Sequence, residues 1–208
     1  MLLKLLESLV IGVSIAAIPG PIFFELIRRT LFNGLYSGIF LVIGEFCGNF
    51  LLLTLIYFGA SHLFLHTFAK VILYCIGGCV LLVISNSAFR LKPKIVEESY
   101  KDVDNEISKK SFLAGFSIAA TSPIVITLWI SLSGSYLAAI SNKQLAFANV
   151  FLIAFGFLLF FIPLAFIVHK TRHVISSKHV LLLSRAFGVV LMGYGVLLFV
   201  NALKLALT

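Results

Sequence analysis

The residue of this sequence best suited to carrying a proton is Glu45. It lies seven residues into an apolar run that begins at Gly38, roughly 10 Å along a helix axis, too deep for a glutamate to reach water by snorkelling. A carboxylate there must face a cavity, be paired or hold a proton. Asn49 follows four residues on, on the same helical face, so the two can form one polar patch. Glu25 is a second candidate for proton coupling, but it sits one turn before Arg28 and Arg29, where an i,i+3 or i,i+4 ion pair at the membrane boundary explains it equally well. Arg28 and Arg29 themselves read as topological anchors, and Glu7 as a solvated residue near the outer mouth. No acid follows Glu106, so any intramembrane proton carrier belongs to the first half of the chain.

Substrate chemistry points to the prolines. Pro19-Gly20-Pro21 interrupts the first apolar run and Ser122-Pro123 the fourth. Proline removes a backbone donor and crowds the carbonyl one turn earlier, which hydrocarbon tolerates only where the freed groups face protein, water or a ligand. Two prolines around Gly20 go beyond an ordinary kink, whereas Pro163 alone reads as one. If both interrupted helices unwind near the midplane, half-helix N-termini converge on one place and favour a carboxylate. Pro19, Gly20, Pro21, Asn49, Ser122 and Pro123 are therefore the candidate substrate-binding residues.

Other chemistry is thin. Ser131-Leu132-Ser133-Gly134 faintly resembles the nucleophile turn of an intramembrane serine protease, but the glycine two before the serine is missing and His62, His66, His169, His173 and His179 lie in loops or at helix ends. Cys47, Cys75 and Cys79 sit in apolar runs without redox or metal spacing and read as small buried hydrophobes. We expect neither cofactor nor metal, and no enzymatic activity.

The elements that must position these residues are membrane spans. The chain of 208 residues is 61% hydrophobic and only 12% charged, with a mean hydropathy of +1.12. A soluble domain carries about twice that share of charge. Apolar runs cover about residues 5–31, 38–58, 65–89, 111 onward, 145–168 and 180–203, enough for six spans of roughly 20 residues. The first reads as an uncleaved helix, since Glu7 interrupts it and it runs past Pro21. One markedly polar segment, 90–110, holds five of the eight acids, Glu97, Glu98, Asp102, Asp104 and Glu106. It divides a single transmembrane domain, 1–208, into three-span halves, 1–89 and 111–208.

The net charge of +8 reports orientation rather than nucleic-acid binding. Twelve of the 16 Lys and Arg lie after spans 1, 3 and 5, leaving Lys4, Lys70, Lys143 and Lys204 on the other side. The positive-inside rule then places the odd loops in the cytoplasm and both termini outside. Trp129 and Tyr136 are expected near the outer interface. Gly34, Gly38, Gly44, Gly48, Gly193 and Gly195 are expected at helix contacts. Ser14-Ile15-Ala16-Ala17 before the first proline break returns as Ser117-Ile118-Ala119-Ala120 before the second. Three spans per half set the copies in opposite orientations, the inverted repeat of many secondary transporters.

These residues resemble the LysE/RhtB family of amino-acid exporters. The likeness rests on Pro19-Gly20-Pro21, the basic pair Arg28-Arg29, the glycine series from Gly34 to Gly48, Phe112-Leu113-Ala114-Gly115-Phe116 leading to Ser122-Pro123, and Arg185-Ala186-Phe187-Gly188 through Gly193-Tyr194-Gly195. It covers the chain in order. Departures are Ser122-Pro123 where the family usually has Asn-Pro, and Asn49 at a place where members often carry a small or polar residue, with Glu45 one turn earlier. The resemblance implies a six-helix protein of the bacterial inner membrane, often oligomeric, that exports amino acids or their derivatives on a proton or ion gradient.

The expectation is thus an all-α membrane protein with broken spans 1 and 4, working as a secondary transporter of small zwitterions. Its partners are an amino-acid substrate, the lipid bilayer and further copies of itself, without nucleic acid. A passive channel and an intramembrane enzyme are the rival readings.

Overall fold

A computed structural model describes residues 2–90, 105–171 and 177–207. The acid-rich stretch up to residue 104, with Arg172 and His173, lies outside the described residues. Span 1 is two helices, α1 (Leu2–Ala16) and α2 (Pro21–Asn33), meeting at 73°. Pro21 opens α2, where its missing N–H takes nothing from the helix. Span 2 is α3 (Leu35–Tyr57), followed by the short α4 (Ser61–Leu65) and by span 3, α5 (Thr67–Phe89). Span 4 is again double, α6 (Asn105–Thr121) and α7 (Pro123–Ala139), meeting at 61°. Spans 5 and 6 are α8 (Lys143–Thr171) and α9 (Ser177–Ala206). Among the described residues four helices are long and apolar enough to cross a membrane, and there are up to six spans with each bent pair taken as one. The chain is an all-helical multi-pass membrane protein, with large apolar side chains such as Phe68, Val83 and Leu182 on its outside.

Several boundaries differ from the sequence reading. The helix of span 4 starts at Asn105, so the end of the polar segment is helical. Pro163 sits inside an uninterrupted α8. Only Gly34 separates α2 from α3, and its φ of +86°, a region open chiefly to glycine, reverses the chain there. Gly34 is a turn residue rather than a packing one. Gly193 also departs from expectation, since a Cβ on it would meet nothing within 4 Å.

Elsewhere glycines set how closely helices cross. Without a hydrophobic driving force between spans, close backbone approach supplies the packing. Gly12 on α1 meets Gly156 on α8, where an added Cβ on Gly156 would lie 2.7 Å from the Gly12 Cα. Gly44 on α3 faces the Phe112 carbonyl on α6, and Gly115 on α6 faces the Leu41 carbonyl on α3. Gly78 and Gly195 face each other's carbonyls across α5 and α9. These are the three dominant helix pairs.

The pattern is its own image under exchange of the halves. The shift that carries Ser14 onto Ser117 carries Gly12 onto Gly115, and α8 stands to α1 as α3 stands to α6. The α5–α9 pair maps onto itself, so a pseudo-two-fold axis passes near Gly78 and Gly195.

The crossing predicts a sharp contrast between two glycines. In Gly115→Ala the new methyl meets backbone on α3, an overpacking cost of about 1–3 kcal/mol. Gly134→Ala adds a methyl to open space and gains up to about 1 kcal/mol of helix propensity. Thermal melting in detergent should place Gly115→Ala below the parent and Gly134→Ala at or above it.

Candidate functional site

A cavity of about 380 Å³ lies where the two breaks face each other. Its lining follows the repeat: Ile15 with Ile118, Ala16 with Ala119, Ile22 with Ile124, Leu81 with Leu198, and Gly77 with Tyr194. Pro19, Gly20, Pro21 and Ser122 also line it. The volume is at the small end of ligand pockets, about 300–1,000 Å³.

Each break presents a helix start. Gly20 is extended at φ −133°, ψ −176°, and a Cβ on it would meet nothing within 4 Å, so the cavity, not packing, keeps this position open. The first N–H groups of α2 have no intrahelical acceptor and carry the positive end of its dipole. Ser122 caps α7, its Oγ accepting from the Val125 N–H at 3.5 Å. Tyr194 donates its hydroxyl to the Pro19 carbonyl at 3.4 Å, tying α9 to the first break.

One element of the lining breaks the symmetry. The shift that carries Gly44 onto Gly156 carries Glu45 onto Phe157 and Asn49 onto Phe161, and Glu45, Phe157 and Phe161 all line the cavity. One wall is therefore acidic where its counterpart is aromatic. Glu45 is 3% exposed. Its Oε1 accepts from Asn49 Nδ2 at 2.6 Å, and Asn49 Oδ1 accepts from Trp129 Nε1 at 2.9 Å. An indole nitrogen can only donate, so Trp129 fixes which end of the Asn49 amide faces Glu45. Glu45 Oε2 is buried with no hydrogen-bond partner, which leaves it as the atom able to take a proton. Among the lining residues Glu45 is the one carboxylate.

Hydrogen-bonded clusters close both ends. At one, Glu25 is fully buried and accepts from Arg28 Nε and Nη2 at 2.7 Å each and from Arg29 Nε at 2.5 Å. Arg28 reaches Ser87 on α5 at 3.2 Å, and Arg29 reaches Ser111 on α6 at 2.9 Å. Ser111 also meets Ser37 on α3 at 2.6 Å. At the other, Ser8 on α1 donates to Asn149 on α8 at 3.0 Å and meets the Tyr136 hydroxyl on α7 at 3.1 Å. The repeat carries Ser8 onto Ser111 and Asn149 back onto Ser37, so the same bond is made twice, once at each end.

The structure thus brings Pro19, Gly20, Pro21, Ser122 and Glu45 to one cavity. Asn49 stands one bond behind Glu45 rather than on the wall, Pro123 starts α7 and faces a different cavity, and Glu25 belongs to the ion cluster. Trp129 is not at the interface but fully buried, because Asn49 supplies inside the bundle the acceptor that headgroups would supply outside. Tyr194 and Phe157 were not singled out for the site. The signal for Tyr194 was a phenol set between Gly193 and Gly195 in an otherwise apolar stretch; for Phe157 it was its register with Glu45.

The family model for LysE type translocators matches residues 13–202. A Bacillus subtilis (strain 168) protein bearing the name "Putative amino acid efflux protein YcgF" is 26% identical over 197 residues, covering 91% of this chain and 92% of that protein. No solved structure matches the chain.

Trp129 is the sole tryptophan, so its fluorescence reports this site directly. Asn49→Leu removes the acceptor of the indole N–H and should move the emission maximum to shorter wavelength. It also strips Glu45 Oε1 of its donor, at about 1–3 kcal/mol per buried group left unsatisfied, and should lower the melting temperature. An unchanged emission spectrum would contradict the bond.

Proposed function

The chain belongs to the LysE type translocator family, a multi-pass protein of the bacterial cytoplasmic membrane, and we propose that it exports amino acids or related small zwitterions in exchange for protons. The observation that carries the reading is Glu45, the one carboxylate on the wall of a cavity built between two broken helices. The efflux name of the Bacillus subtilis relative supports the substrate class and the direction.

Two ends of a zwitterion find opposite partners here. The substrate carboxylate is held at the N-termini of α2 and α7, where backbone N–H groups and helix dipoles favour an anion. Its ammonium group pairs with ionised Glu45. A proton on Oε2 removes that charge, so substrate and proton compete for one carboxylate, and each crosses only when the other has left. Asn49 donates to Oε1 in both states and holds the carboxylate in place through the change.

The end clusters supply the two gates. Opening one parts α2 from the α3–α6 pair at the Arg29–Ser111 bond, and opening the other parts α7 from the α1–α8 pair at the Ser8–Tyr136 bond, with the bonds at the closed end intact. A proton taken up from outside is released to the cytoplasm, and the amino acid travels the opposite way as the bundle exchanges states. Glu25, held by two guanidinium groups, serves the gate at its end, and the proton is assigned to Glu45.

The test is transport by reconstituted protein. A screen of amino acids and dipeptides for those whose cellular accumulation falls on expression identifies the substrate. In liposomes a pH step should then drive its radiolabelled form across the membrane. Glu45→Gln should insert normally but lose pH-driven transport at least about tenfold, as expected where a charge-assisted contact of about 1.5–3 kcal/mol is removed. Parental coupled transport by Glu45→Gln defeats the assignment, and parental flux indifferent to the pH step identifies a passive channel.

A further inference from the structure

The central cavity constrains the third arm of its ligand. An α-amino acid carries carboxylate, ammonium and side chain on one tetrahedral carbon. On the reading above, on which this inference rests, the first two go to the helix starts at the breaks and to Glu45, and the side chain takes the direction left over. Across the pseudo-two-fold axis from Glu45 stands Phe157, with Phe161 one turn further on, and both line the cavity.

Apart from Glu45, the polar side chains of the lining gather at the breaks. Ser122 caps α7 at the second break. Thr121 beside it donates to the Ser117 carbonyl at 2.6 Å, and Tyr194 donates to the Pro19 carbonyl at the first. Among the described residues no Lys, Arg, His, Asn or Gln side chain lines the cavity. Away from the breaks its surface is hydrocarbon and ring: Leu81, Ile118, Leu128 and Leu198 with the two phenylalanines. The ring wall is braced from behind. Phe157 lies 5.8 Å from the Trp129 ring and 6.3 Å from the Phe161 ring, centroid to centroid. Trp129 is also the donor to Asn49, which in turn holds Glu45. One indole thus supports the acidic wall through its N–H and the aromatic wall through its ring, and so sets the two at a fixed spacing.

We propose that the substrate is an amino acid with a hydrocarbon side chain, of the leucine or norleucine kind, selected by Phe157 and Phe161. Each methylene moved from water onto this wall tightens binding about fourfold. A side-chain ammonium meets the opposite balance, since it leaves water for a surface that offers no second carboxylate. A phenylalanine ring attracts a cation, but less well than tryptophan does, and one ring does not replace a hydration shell. A side-chain amide gives up its bonds to water and finds neither donor nor acceptor on that wall.

Amino acids matched in shape separate these effects. Norleucine is lysine without the side-chain ammonium, and asparagine matches leucine in size with an amide in place of the methyl branch. Equilibrium titrations of the purified parent in detergent, read by Trp129 emission and by calorimetry, should rank norleucine above lysine and leucine above asparagine, each by at least about tenfold. Leucine should exceed alanine by a similar factor. Lysine or asparagine at parity with its partner overturns the side-chain assignment and leaves the exporter reading intact. Isoamylamine, which is leucine without its carboxylate, tests that reading separately. If it binds as tightly as leucine, the carboxylate site at the breaks falls and the apolar wall stands; if no amino acid binds, both fall. Phe157→Asp sets a second carboxylate across from Glu45 and should bring lysine at least level with norleucine. Phe157→Asn, which adds no charge, should narrow the leucine-to-asparagine ratio by about threefold or more. Parental ratios in either folded variant overturn the role of this wall.

Discussion

Hydrocarbon offers backbone groups no hydrogen bonds, so every interruption of a membrane helix must be enclosed by protein or by something the protein binds. This chain interrupts two helices, at Pro19-Gly20-Pro21 and at Ser122-Pro123, and encloses both in the same cavity. The rest of the architecture follows from that need. Gly12, Gly44 and Gly115 let α1 settle on α8 and α3 on α6, which brings the two breaks within reach of one another. The clusters around Ser8 and Ser111 then hold the first half of each broken span in place.

Symmetry builds the cavity, and departure from symmetry gives it polarity. Ile15 and Ile118, Ala16 and Ala119, Ile22 and Ile124, and Leu81 and Leu198 match across the pseudo-two-fold axis, but Glu45 and Asn49 stand opposite Phe157 and Phe161. An acid on both walls would set two buried carboxylates against each other without a cation among the lining residues. One acid, backed by Asn49 and Trp129, leaves a single site for a single charge. The two ends differ in the same manner: ion pairs of a buried carboxylate with two arginines at one, and neutral hydroxyl and amide bonds at the other.

Much of this was legible in the sequence, because in a membrane the informative residues are the rare ones. The double proline announced a break, the returning Ser-Ile-Ala-Ala announced a second copy, and an acid deep in an apolar run called for a cavity, a partner or a proton. The GxxxG at Gly44 and Gly48 marked a crossing. What stayed hidden depended on which way a side chain faces when nearly all neighbours are apolar. Helical periodicity carries little contrast in α7 or α8, so Trp129 could not be turned inward, nor Phe157 toward Glu45, without the coordinates. Gly34 was misread for a different reason: spacing alone cannot separate a glycine that packs from one that turns the chain.

The cross-over of the halves has a mechanical consequence. Each half lends the leading piece of its broken span to the other half's middle helix, α1 to α8 and α6 to α3, so the halves are clasped like two hands. The closely crossed units are mixed pairs, each drawn from both halves of the sequence. The bends of both spans fall at the breaks themselves, where Gly20 and Ser122 line the central cavity, so the corner of each span and the wall of the hollow are one place.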